Sequence, residues 1–155
     1  MMLVLGAMVL LSLLVLNINR TQLFSEQQMS QSEYIMAATA VGQSMVNEAA
    51  GKAFDAATAT DEKATVATFT APGSLGRGSW EAYPNFNDFD DYHRYSTTRS
   101  TPRAGSFRLL GAVDYVNPAT PNKTSSVRTR MKRLRVTITS EFMEQPVILV
   151  HYKSH

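Results

Sequence analysis

The chain of 155 residues contains no cysteine, which excludes disulfide bonds, thiolate metal sites and thiol nucleophiles. Proline is absent before Pro72, and only three glycines precede it, so few residues interrupt a helix in this half. Charge is absent from residues 1–19, and the first charged side chain is Arg20. The net charge of +2 is too small to indicate a nucleic-acid partner by itself. The absence of proline and of charge from the start of the chain therefore predicts a helical, apolar segment followed by a more polar body.

Motifs of catalysis are also absent from the sequence. There are three histidines, and no nucleophile elbow, zinc-protease helix, phosphate-binding loop or dinucleotide fingerprint is present. Serine and threonine are frequent, but a hydroxyl without a neighbouring base is a poor nucleophile. We expect that the protein is not an enzyme and that it carries no organic cofactor.

The uncharged segment at residues 1–19 reads MMLVLGAMVLLSLLVLNIN. As a helix it would be about 28 Å long, close to the roughly 30 Å hydrocarbon thickness of a bilayer. A cleaved signal peptide is one interpretation, but no basic residue precedes the segment and no A-x-A site follows it. We therefore expect the segment to remain in the mature protein. A plain membrane anchor and a helix that packs with other apolar helices stay open.

Helical character continues beyond Arg20. Residues 20–57 are rich in alanine, glutamine, glutamate and methionine, and an apolar stripe recurs in steps of three and four. The stripe consists of Tyr34, Ala38, Val41, Met45 and Ala49. We predict one helix over residues 1–57, about 85 Å long. Gly42 and Gly51 within it mark either close helix packing or kinks.

The last third of the chain predicts an antiparallel sheet. Strand patterns cover residues 106–117, 127–142 and 147–153, and residues 65–70 form a weaker one. The apolar side of the middle strand changes parity after Met131, which predicts a β-bulge near Lys132 and Arg133. The fold class is therefore α+β. Residues 1–19 form a membrane or filament-core segment, residues 20–57 an amphipathic stem, and residues 58–155 a β-rich head with three or four strands.

A basic stripe runs along the middle strand. With the bulge, five cations would all lie on the solvent face: Arg128, Arg130, Lys132, Arg133 and Arg135. Residues 64–155 carry a net charge of +5 and residues 1–63 a net charge of −3. The stripe fits a solvated edge that resists aggregation, a contact between subunits, or an acidic polymer such as DNA. Nucleic acid is the weakest of these because no stacking aromatics alternate with the cations.

An aromatic and acidic segment precedes the sheet. It holds six aromatic side chains between Trp80 and Tyr95, which predicts a loop packed onto the head. Asp88, Asp90 and Asp91 offer clustered oxygen ligands of the kind that calcium prefers. The spacing does not match an EF-hand loop, so a solvated acidic turn remains the alternative to a calcium site.

The order of these segments resembles the type IV pilin superfamily, which includes the pseudopilins. The resemblance rests on MMLVLGAMVLLSLLVLNINRTQLFSEQQ, followed by a half-exposed helix and a β-rich head. The family usually has glutamate at the fifth mature position and often proline near position 22, where this chain has Leu5 and Gln22.

The resemblance implies a structural subunit of an extracellular pilus-like filament, a class of fibre that serves adhesion or motility. The apolar helix would lie in the inner membrane before assembly and then in the filament core. The implied core residues are Met1, Leu3, Val4, Leu5, Met8, Val9, Leu11, Leu13, Leu14 and Leu16. Its partners would be further copies of the chain, a prepilin peptidase and an assembly machinery. A single-span periplasmic binding protein and a minor pseudopilin of a secretion or DNA-uptake machine remain alternatives.

Overall fold

The computed structural model describes the backbone of residues 2–155 and the side chains of residues 6, 8, 10–23 and 28–155. A long helix α1 (Met2–Ala50) leads into a short helix α2 (Ala56–Thr60) and then into irregular chain. Five strands follow: β1 (Ser96–Thr101), β2 (Gly105–Asn117), β3 (Thr120–Thr124), β4 (Met131–Thr139) and β5 (Val147–Ser154). They form one antiparallel sheet in the order β1-β2-β4-β5, and β3 pairs with the end of β2. The predicted α+β fold is confirmed.

The second half of α1 packs on strands β4 and β5. The predicted apolar stripe makes this contact: Ala38, Met45 and Ala49 are buried, and Tyr34 and Val41 are half-buried against the same core. Gly42 continues the helix without a break, and a Cβ atom there would lie 2.7 Å from Ile138 Cδ1. Gly42 therefore marks close packing of the helix on the sheet.

The predicted helix end at residue 57 was wrong. Helix α1 ends at Ala50, and after a turn at Gly51 the chain passes beside residues 81–91, which we call the acidic loop, where Ala53 forms a bridge to Asp88. The Ala53 N–H donates to Asn87 O at 3.2 Å, and the Phe89 N–H donates to Ala53 O at 2.9 Å. Asp55 then caps α2 by accepting from the Ala57 N–H at 3.1 Å. The N–H groups of Gly51 and Lys52 still donate to carbonyls of α1, and from Ala53 onward the backbone finds its partners outside that helix.

The β-bulge predicted near Lys132 and Arg133 was also wrong. β4 pairs with β2 and with β5 in continuous register, and the register shift in the sheet lies in β2, between Val116 and Asn117. Lys132 shares the parity of the buried Leu134, so no extra residue is needed.

The strand bounds differ from the predictions mainly at the edges of the sheet. β2 and β5 agree closely with the predicted strands, whereas β4 is shorter than residues 127–142. Residues 65–70 form no strand and contain a turn at 66–68, and strands β1 and β3 were not predicted. β1 reads STTRST and buries neither face fully, so it carries no apolar alternation. β3 contains Pro121, which an edge strand tolerates.

Gly111 of β2 lies close to the backbone of residues 92–95, and a substitution there tests this packing. Its N–H donates to Tyr95 O at 2.9 Å, its carbonyl accepts from the Arg94 N–H at 2.9 Å, and a Cβ atom would collide with the Tyr92 carbonyl. Because a backbone carbonyl cannot move as a side-chain tip does, we expect Gly111→Ala to destabilise the head by about 2–3 kcal/mol. Urea unfolding followed by circular dichroism measures this, and an unchanged midpoint would contradict the close approach of these two segments. Gly73→Ala, at a position with open space, is the matched control.

Candidate functional site

The N-terminal part of α1 presents apolar side chains to solvent on every side. We call residues 6–18 the apolar arm, and from here on the word stem means only residues 28–50, the C-terminal part of the predicted stem that belongs to α1. Every arm side chain that the structure describes is exposed. The large ones are Met8, Leu10, Leu11, Leu13, Leu14, Val15, Leu16 and Ile18. At about 100° per residue these positions surround the helix axis, so the arm has no polar face to turn toward water.

The structure describes the side chains of half of the predicted filament-core residues. Met8, Leu11, Leu13, Leu14 and Leu16 are exposed in the single chain. The side chains of the other five lie outside the described residues: Met1, Leu3, Val4, Leu5 and Val9.

The polar groups beside these apolar side chains satisfy part of their hydrogen bonding within the helix. The Ser12 hydroxyl donates to Met8 O at 2.8 Å, and the Thr21 hydroxyl donates to Asn17 O at 2.9 Å. Internal bonds of this kind lower the cost of placing a hydroxyl in apolar surroundings. Ser12 is therefore compatible with burial of the arm against other apolar groups.

Within the part of the chain whose side chains are described, no helix is long and apolar enough to span a bilayer.

The basic stripe predicted on β4 does not form as one solvent-facing surface. Arg128 and Arg130 are exposed, but Lys132 and Arg133 are buried and Arg135 is half-buried. The prediction was wrong because it placed all five cations on the solvent face, whereas Lys132 lies on the same side of β4 as Leu134 and faces the core.

Arg133 and Arg135 lie on the face of the sheet that β3 partly covers. Arg133 Nη2 is 3.0 Å from Asp114 Oδ2, and Arg135 Nη2 is 3.4 Å from the same oxygen. Arg133 also donates to Asn122 O at 2.9 Å and to Thr124 Oγ1 at 3.1 Å. These cations therefore fasten the β2–β3 hairpin to β4.

Lys132 lies on the opposite face and is completely buried. Its ammonium is 2.6 Å from Asp55 Oδ2 and 2.7 Å from Asp90 Oδ1, and it donates to Phe54 O at 2.9 Å. Tyr115 completes the surroundings by donating to Thr70 O at 2.8 Å. One lysine thus joins β4 to the start of α2 and to the acidic loop.

The pKa values of the two carboxyl groups around Lys132 are shifted in opposite directions. Burial disfavours the charge of Asp55, but the hydrogen bond and charge of Lys132, with the N–H groups of Thr70 and Ala57, hold its pKa below the ordinary value. Burial raises the pKa of Asp90 to about 7, against the opposing charge of Lys132. One ammonium between two buried carboxyl groups leaves Asp90 as the group that more readily takes a proton.

The three aspartates predicted as calcium ligands are buried but do not point to one place. Asp90 is committed to Lys132, whereas Asp88 and Asp91 gather with Glu81. One oxygen from each of Glu81, Asp88 and Asp91 lies within 4.8 Å of the others. Burial, and then the charge of Asp91, raise the pKa of Asp88 to about 6. The sequence analysis did not identify Glu81 as a candidate ligand. A turn at Gly78 holds its carboxylate in place, and the Gly78 N–H donates to Glu81 Oε2 at 2.6 Å.

The aromatic segment packs onto the head as predicted, with one exception. Phe86, Phe89 and Tyr92 are buried, and Phe86 contacts the rings of both Tyr92 and Tyr95 edge-on. Trp80 is 98% exposed. It lines a cavity of about 340 Å³ together with Glu81 and Asp88.

Comparison of the chain with protein-family models, with curated proteins and with solved structures finds no match.

Proposed function

We propose that the chain is a structural subunit of an extracellular pilus-like filament and that it polymerises through the apolar arm. The observation that carries the proposal is the exposure of apolar side chains all around the arm of a helix whose stem is packed on its own sheet. The stem finds its apolar partners within the chain. The arm does not, so its partners are other molecules.

Burial of the arm provides a strong driving force for assembly. Full burial of one exposed leucine contributes about 2 kcal/mol, and Leu10, Leu11, Leu13 and Leu14 are each more than half exposed. Packing against the arms of neighbouring copies would remove this surface from water along the whole segment. Before assembly the inner membrane would take up the same surface.

Continuity of α1 favours a polymer over a simple anchor. Arm and stem belong to one helix, Met2–Ala50, with no proline inside it. A continuous helix fixes the direction of the arm relative to the head, and a helical polymer needs that fixed relation in every copy. A membrane anchor works equally well through a flexible linker. The sequence resemblance to pilins points to the same role, with a prepilin peptidase and an assembly machinery as further partners.

Mechanical shearing of cells tests the proposal. We expect the chain to be recovered in the sheared surface fraction, in fibres that an antibody against the head decorates along their length. The proposal would be wrong if the chain stayed entirely in the membrane fraction under conditions that release other surface fibres. That outcome would favour a membrane-anchored binding protein.

A further inference from the structure

The acidic loop contains a second kind of site, formed by Glu81, Asp88 and Asp91. Asp88 and Asp91 are 2% and 1% exposed, so two carboxyl groups of this cluster are removed from water. The ion pairs among the described residues leave all three without a cation, because Lys132 is paired with Asp55 and Asp90. Buried carboxylates that face one another are costly unless a positive charge joins them.

Hydrogen bonds hold the three carboxyl groups in place. Asp91 Oδ2 accepts from the Asn87 N–H at 2.9 Å, and Asp88 Oδ1 accepts from the Asp90 N–H at 2.7 Å. Glu81 Oε1 accepts from Asn87 Nδ2 at 2.6 Å. Each group therefore has at least one oxygen fixed by an N–H donor, as outer-shell bonds fix the ligands of metal sites.

The second oxygen of Asp91 gives an independent sign of a missing ligand. Asp91 Oδ1 is buried and has no hydrogen-bond donor among the described residues. It belongs to the carboxyl group that lies within 4.8 Å of the other two, so it lies at the cluster. Buried carboxylate oxygens normally have a partner, and no side chain of the loop provides one here.

We propose that Glu81, Asp88 and Asp91 bind a divalent cation, and that this cation is calcium. All three ligands are carboxylate oxygens, which calcium prefers. Opposite ligands of calcium are about 4.6–5.2 Å apart, at roughly 2.3–2.6 Å from the ion, so oxygens within 4.8 Å of one another fit one coordination sphere. The cavity beside Glu81, Asp88 and Trp80 leaves room for water molecules to complete it.

Bound calcium would join three parts of the head. Asp88 itself forms the backbone bridge to Ala53 just after α1, and Asp90, which lies between the ligands in sequence, holds Lys132 of β4. A cation at the loop would thus stabilise the junction of stem and sheet. The site does not depend on the proposed polymerisation, and either proposal can fail alone.

The test is calcium-dependent thermal unfolding of the full chain in detergent micelles, followed by circular dichroism. After removal of metals with a chelator, calcium chloride at about 5 mM should raise the melting temperature by about 5 °C, given affinities of extracellular sites near 10⁻⁴–10⁻³ M. Magnesium chloride at the same concentration should raise it less. No calcium-dependent rise, or an equal rise with magnesium, would overturn the assignment.

Matched variants locate the site. Asp91→Asn keeps an acceptor for the backbone N–H groups but removes a charge, and Glu81→Gln does the same at a position that is not fully buried. Both should weaken calcium binding at least tenfold, while the exposed Glu62→Gln should not change it. An unchanged calcium response in Glu81→Gln, with the fold intact by circular dichroism, would contradict the proposal even if Asp91→Asn failed to fold.

Trp80 offers a local readout because it is the single tryptophan of the chain and lines the same cavity. Terbium, a luminescent substitute for calcium, should emit when Trp80 is excited, and calcium should displace it. Emission of equal strength from Asp91→Asn would show that terbium binds elsewhere.

Discussion

The variant Leu14→Asp should abolish filaments while leaving the head folded. Leu14 is 60% exposed in the single chain and lies in the middle of the apolar arm. In a filament it would be surrounded by the arms of neighbouring copies, where an unpaired carboxylate costs far more than one leucine contributes. Recovery of the chain in the sheared surface fraction should fall at least a hundredfold, because each added subunit would have to bury the same charge.

Val127→Asp is the matched control. Val127 is a large apolar side chain of similar exposure, but it lies on the head, between β3 and β4. Filaments should form normally from this variant. Normal filaments from Leu14→Asp would contradict assembly through the arm, and loss of filaments in both variants would place the contacts on the head as well.

Replacing Lys132 by methionine should lower the free energy of unfolding by about 3–5 kcal/mol. Methionine preserves most of the buried volume but leaves Asp55 and Asp90 facing each other without the ammonium between them. Loss of Lys132 raises the pKa of both carboxyl groups, since the lysine lowers both. Both groups can then take a proton in acid, so the difference from the unaltered chain should shrink as the pH falls.

Urea unfolding followed by circular dichroism measures this effect. Exposed Lys123→Met should change the free energy of unfolding by less than about 0.5 kcal/mol. The triple variant Lys132→Met, Asp55→Asn, Asp90→Asn should recover part of the loss, because no buried charge remains unpaired. A Lys132→Met loss no larger than that of Lys123→Met would show that the buried ion cluster contributes little.

Periodicity was sufficient to predict the main elements of the fold. The stripe from Tyr34 to Ala49 identified the face of α1 that packs on the sheet, and β2 and β5 agree with alternating apolar residues between prolines and turns. β1 could not be found this way, because an edge strand of serine and threonine buries neither face. The end of α1 depends on backbone bonds from Ala53 to residues of the acidic loop, which are distant in sequence.

The candidate sites were predicted less well, for an electrostatic reason. Lys132 has the parity of Leu134, Val136 and Ile138, so the sequence did contain a signal that it faces the core. A buried lysine is acceptable only when carboxylates meet it, and Asp55 and Asp90 come from segments far away in the chain. Because Asp90 pairs with Lys132, the acidic cluster consists of Asp88 and Asp91 with Glu81, and Asp90 is not part of it.

Helical reconstruction of the sheared fibres by electron microscopy tests assembly through the arm most directly. We expect a fibre whose centre is filled by parallel helices, into which residues 6–18 can be traced with Leu13 and Leu14 in contact with neighbouring copies. Heads containing the five-stranded sheet should lie on the outside. A fibre whose subunits meet only through their heads, with the arms outside the centre, would contradict the proposed function.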